Sequence, residues 1–71
     1  MPYRDIEDLP PSVRDHLPRH AQEIFVAAFN HAWQAHADDR DAEGIAFRIA
    51  WSAVKKGYRK AGGSWVKIAP E

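Results

Sequence analysis

The sequence predicts a mainly α-helical fold, a small bundle of one short and two long helices with a minimal β pairing of the N-terminal arm and the C-terminal strand. Three observations predict it. Arg19 to Asp38, RHAQEIFVAAFNHAWQAHAD, has no Gly or Pro, and its apolar residues recur at helical spacing. Ala42 to Lys60 repeats that pattern, with Ala42, Ala46, Ile49, Ala50 and Ala53 on one face and Phe47, Trp51, Val54 and Tyr58 beside them. After Gly62 and Gly63, which suit the left-handed conformation that ends helices, SWVKIA alternates as a short strand does.

Residues 1–9 form a poor helix, with Pro2 and the acids Asp5, Glu7 and Asp8, but an adequate extended arm whose Tyr3, Ile6 and Leu9 are available for docking. A helix is expected over 10–17, because Pro10 and Pro11 suit a first turn and Pro18 drives Leu17 out of helical geometry. Leu9, Val13 and Leu17 give it a narrow apolar edge that lies across the long helix. In the central helix, 18–38, residues Ala21, Ile24, Phe25, Val26, Ala28, Phe29, Ala32 and Trp33 cover an arc of about 200°, wide enough to be contacted from two sides. The acidic turn DDRDAEG leads into a helix over 41–61, with Asp41 or Asp39 as N-cap and Glu43 at the positive end of the macrodipole. A strand over 64–69 needs a partner, and the arm is the remaining extended segment. The core is expected where Phe25, Phe29 and Trp33 meet Ile49, Ala50 and Ala53, with Trp51 and Tyr58 facing the terminal strands.

A chain of 71 residues is one domain, 1–71, and buries only about 60% of its unfolded surface, so each aromatic residue counts. Without cysteine it has neither disulfides nor thiolate sites. Ten Lys and Arg balance ten Asp and Glu, which removes any whole-protein attraction to nucleic acid or membrane. No apolar run approaches the roughly 20 residues of a membrane span, and MPYRDIEDLP does not read as a signal peptide, so the expectation is a soluble, cytoplasmic protein.

No catalytic, cofactor or metal constellation is legible. His16 and His20 flank the break at Pro18, while His31 and His36 point about 140° apart on a helix, and His36 reads as a hydrogen-bonded structural residue. Asp38, Asp39, Asp41 and Glu43 lack the spacing of a calcium loop. Asn30 is costly inside a helix, so it either hydrogen-bonds the backbone of a terminal segment or meets a partner. The clearest asymmetry is basic: Arg48, Lys55 and Arg59 fall within about 40° of one helix face around Ser52, with Lys56 and Lys60 alongside. From Lys55 to Lys67 there are five basic residues and no acidic one. Such a face is solvated, or it meets an acidic protein, a nucleic acid or anionic lipid. Arg48, Lys55, Lys56, Arg59 and Lys60 are therefore the candidate partner-binding residues, with Asn30 and Trp65 as further contacts.

The segments MPY, DLPPSVRDHLPRHAQEIFVAAFNHAW, AFRIAWSAVKKGY and GGSWVK together resemble the ChaB family, small proteins named as cation transport regulators. The combination LPxHAQxIFxxAFNxAW with AWxAVKxxY carries the resemblance over nearly the whole chain. It implies a compact helical domain that regulates a cation/proton antiporter and has no catalysis of its own. The resulting expectation is a non-enzymatic module binding an acidic protein surface, such as the antiporter's cytoplasmic segments, through the basic face. The alternative is nucleic-acid binding by the same stripe.

Overall fold

The computed structural model describes residues 3–68; the expectations for residues 1, 2 and 69 lie outside them. A 3-10 turn at Ile6–Asp8 is started by the Asp5 side chain, which accepts from the Glu7 amide at 2.8 Å. Helix α1, Pro11–Arg14, has Pro11 in its first turn and is shorter than the expected 10–17. Its open end is closed by Gln22, whose amide nitrogen donates to the carbonyls of Arg14 (3.0 Å) and Leu17 (2.7 Å). Pro18 opens α2, Arg19–Ala35.

Helix α2 stops three residues before Asp38 because a local turn competes for the same backbone. The Asp39 amide donates to the His36 carbonyl at 2.9 Å, and the Asp39 carboxylate meets His36 Nδ1 at 3.0 Å. Helix α3, Ala42–Gly57, has Asp41 at its N-cap and Glu43 in its first turn, though the Asp41 side chain makes no capping hydrogen bond.

The chain ends do not follow the expected pairing. Helix α3 ends at Gly57 rather than residue 61, and Tyr58 turns extended to begin β1, Tyr58–Ala61. This strand pairs antiparallel with β2, Ser64–Lys67, in the register Tyr58 to Lys67, Arg59 to Val66, Lys60 to Trp65 and Ala61 to Ser64. Gly62 and Gly63 have φ of 55° and 91°, so they form the hairpin turn rather than a helix cap. Two consecutive positive φ angles match the right-handed strand twist. A two-residue loop is also far cheaper to close than one joining opposite ends of the chain.

The arm is held by side chains instead of a strand. Asn30 Oδ1 accepts from the Tyr3 amide at 2.8 Å and Asn30 Nδ2 donates to the Tyr3 carbonyl at 2.7 Å, reproducing one rung of a β ladder. The Tyr3 ring rests on Phe29 with centroids 4.6 Å apart. Partial burial, followed by the nearby Glu43 carboxylate, raises the Tyr3 phenol above its ordinary value of 10.0.

The core is two rows of residues at four-residue spacing. Leu9, Val13, Leu17, Ala21, Phe25 and Phe29 are buried along α1 and α2, and Ala42, Ala46, Ala50, Val54 and Tyr58 along α3 and β1. Alanines on α3 leave room for the Phe25 and Phe29 rings, both 0% exposed. The expected face of α3 is rotated: Ile49 is 40% exposed and Ala53 half-buried, while Ala46, Ala50 and Val54 take the central positions. Three of the four rows of that helix carry apolar residues, which gave it more than one inner face to choose from, and the aromatics decided it. Phe47 and Trp51 each set a ring edge-on against Phe25, both at 5.3 Å, which turns Ile49 outward. The central helix is covered from two sides, by α3 and by the arm with Tyr3 and Ile6.

Phe29 meets the rings of Tyr3, Phe25, Trp33 and Phe47. Chemical denaturation should therefore show Phe29→Ala destabilised by about 3–5 kcal/mol, but exposed Gln34→Ala by less than about 0.5 kcal/mol. Equal stabilities would refute the assigned face of α2. Asn30→Ala should cost about 1–2 kcal/mol and accelerate hydrogen exchange of the Tyr3 amide while α2 and α3 stay protected. Since docking favours the neutral Tyr3 phenol, its contribution is complete below the ordinary value of 10.0 and lost as pH rises through the raised one. Arm protection followed against pH checks this sign.

Candidate functional site

The five basic residues nominated from sequence do not form one helical stripe, because the helix ends between them. Arg48, Lys55 and Lys56 are on α3; Arg59 and Lys60 are on β1. Neighbours along a strand point to opposite faces. Lys60 shares its face with buried Tyr58 and its register partner Trp65, whereas Arg59 shares the outer face with exposed Val66. Arg48 lies two turns before Lys55, about 10 Å along the axis, and lines a different hollow with Tyr3, Asp41, Glu43 and Phe47.

Lys55 and Lys60 are brought together with Trp65. They line a groove of about 340 Å³ between α1, the last turns of α3 and the hairpin, with Ser12, His16 and Trp51 completing the walls. Trp51 is the structural hinge of this site. Its ring packs on Phe25 toward the core at 5.3 Å and on Trp65 toward the hairpin at 5.5 Å, the two indoles inclined at 33°. Lys56 and Arg59 are exposed outside the groove.

Among the described residues, ion pairs join Arg14 to Asp15 (3.9 Å), Arg19 to Glu23 (3.7 Å) and His36 to Asp39 (3.0 Å). None involves a residue of the basic surface. The acids are concentrated instead in the arm and in the α2–α3 turn, so charge is segregated although the total is zero.

Asn30 bonds the Tyr3 backbone through both its Oδ1 and its Nδ2, the hydrogen bond to a terminal segment that is one of its two expected roles. Trp65 is partly buried, packed on Trp51 at the groove. His20 Nδ1 meets the Tyr58 hydroxyl at 3.2 Å, and His36 is the hydrogen-bonded residue expected. Ser12, His16 and Trp51 were not nominated as site residues. Trp51 was assigned to packing, and nothing in the spacing of Ser12 or His16 places α1 beside the hairpin; the readable signal was only that Lys55 follows Trp51 by one helical turn.

Comparison with known proteins agrees with this architecture. The ChaB family model matches residues 9–67. The Escherichia coli K12 protein named "Putative cation transport regulator ChaB" is 46% identical over 66 residues, covering 84% of this chain and 87% of its own length. The protein of the same name from Shigella flexneri matches to the same extent. A solution NMR structure of a protein with that name superposes with a TM-score of 0.85 at 43% identity, over 96% of this chain and 100% of the other. Matching sequence over most of the chain, and matching helices and hairpin in space, make this chain a member of the ChaB family.

Proposed function

We propose that this chain is a non-enzymatic regulator of cation transport that works by protein contact, docking its basic surface on an acidic cytoplasmic segment of a cation/proton antiporter. The relatives' names support the process. The observation that carries the contact is the convergence of Lys55 and Lys60 beside Trp51 and Trp65, on a face whose cations have no carboxylate at ion-pair distance among the described residues. Lys56 and Arg59 extend the positive field around the groove, and Arg48 adds to it farther along α3.

Such a surface steers encounter with an acidic partner and fixes its orientation more than it adds raw affinity. Binding is therefore expected to weaken with salt as the screening length shortens. Ser12 and His16 both line the groove, but no hydrogen bond joins them among the described residues and no third group orients the imidazole, so the geometry lends no support to catalysis.

The test is a titration with the antiporter's isolated cytoplasmic segments at about 0.01 M and about 0.15 M ionic strength, where screening lengths are roughly 30 Å and 8 Å. Lys55→Glu combined with Arg59→Glu should weaken the low-salt affinity by about tenfold or more, equivalent to about 1.4 kcal/mol. Unchanged affinity would remove this surface from the contact. Duplex DNA bound with a logarithmic salt slope near −3 to −4 would instead identify about three to five phosphate contacts and a nucleic-acid partner.

A further inference from the structure

Each tryptophan of the groove has a lysine beside it, and the two pairs are built differently. On α3, Lys55 follows Trp51 by one turn, which places both on the same side of the helix. On the hairpin, Lys60 is the cross-strand partner of Trp65, so these side chains share one face of the sheet. Both pairs open on the same hollow of about 340 Å³, within the size range of ligand pockets.

The aromatic walls are held from behind. Trp51 is fixed edge-on by buried Phe25, and Trp65 leans on Trp51 at 5.5 Å. A slot whose walls are already ordered loses little conformational freedom when filled. Its lining, two indoles with one cation on α3 and one on the hairpin, is complementary to a flat apolar group flanked by negative charges.

Resting on the protein-contact reading above, we infer that this groove is the seat for a single aromatic side chain of an acidic peptide segment in the partner, the ring lying between the Trp51–Trp65 pair and Ser12 of α1 and the flanking carboxylates meeting Lys55 and Lys60. Nucleic acid fits less well. A strand needs a continuous basic track, whereas Arg48 lies apart from Lys55 and Lys60, beside Asp41 and Glu43.

Two capped heptapeptides of equal charge provide the probes, Glu-Asp-Glu-Phe-Glu-Asp-Glu and its analogue with Ala for Phe, titrated into the full chain with the tryptophan indole N–H signals as readout. The Phe peptide should bind about tenfold tighter, the effect of burying one aromatic side chain at the lower end of its usual range. Ser12→Phe, which fills the slot from α1 and leaves every charge in place, should abolish that preference. Lys55→Gln with Lys60→Gln should weaken both peptides by a common factor and preserve it.

Equal affinity of the two peptides, or a preference that survives Ser12→Phe, overturns the aromatic seat while leaving the basic docking surface standing. Failure of both peptides to bind at low salt overturns the seat and the acidic-partner reading together. Displacement of the Phe peptide by a thymidine oligonucleotide at lower concentration assigns the groove to single-stranded nucleic acid and overturns the inference as well.

Discussion

The seating of Phe25 and Phe29 of α2 against the alanine row of α3 is the contact on which the remaining geometry depends. Ala46 and Ala50 are completely buried, and their small side chains let two phenyl rings lie where larger residues would hold the helices apart. The rings then act as a template: Phe47 and Trp51 stand edge-on to Phe25, and Tyr3 tilts onto Phe29. Edge-to-face pairs of this kind add about 0.5–1.5 kcal/mol each beyond the area they bury. In so short a chain these contacts both stabilise the bundle and aim its surface residues.

The two ends of the molecule illustrate two ways of satisfying an extended backbone. The C-terminal segment finds a strand immediately before it, across a glycine pair that permits a tight turn. Among the described residues the N-terminal arm pairs with no strand and uses one side-chain amide, which offers the donor and acceptor that a neighbouring peptide would offer. An asparagine that is unfavourable in the helix by propensity is compensated by two hydrogen bonds to another part of the chain. The candidate docking surface depends on the first solution, since an α3 continuing to residue 61 would carry Lys60 away from Trp65.

The ion pairs among the described residues are exposed and contribute little to stability. None of them involves a residue of the basic surface. Its lysines extend from the ends of regular elements, Lys55 from the last turn of α3 and Lys60 from the middle of β1, while the tryptophans between them are tied to the core. Exposed charge beside an aromatic pair tied to the core is the arrangement on which the proposed docking role rests.

The sequence by itself determined the two long helices, the short proline-started helix, the buried face of α2 and the positive φ of Gly62 and Gly63. Each of these follows from local periodicity or from the conformational limits of single residues. It also carried the family, through motifs spread over most of the chain. Which face of α3 turns inward was decided by tertiary structure, because Ile49 and Val54 are equally apolar and only the position of the aromatic rings separates them. The strand partner was decided there too, since alternation in SWVK marks an extended segment without saying what lies beside it. The groove needed all three segments at once: residues 12, 51 and 65 are distant in sequence, and the packing that joins them is the same seating of phenyl rings on alanines that closes the core.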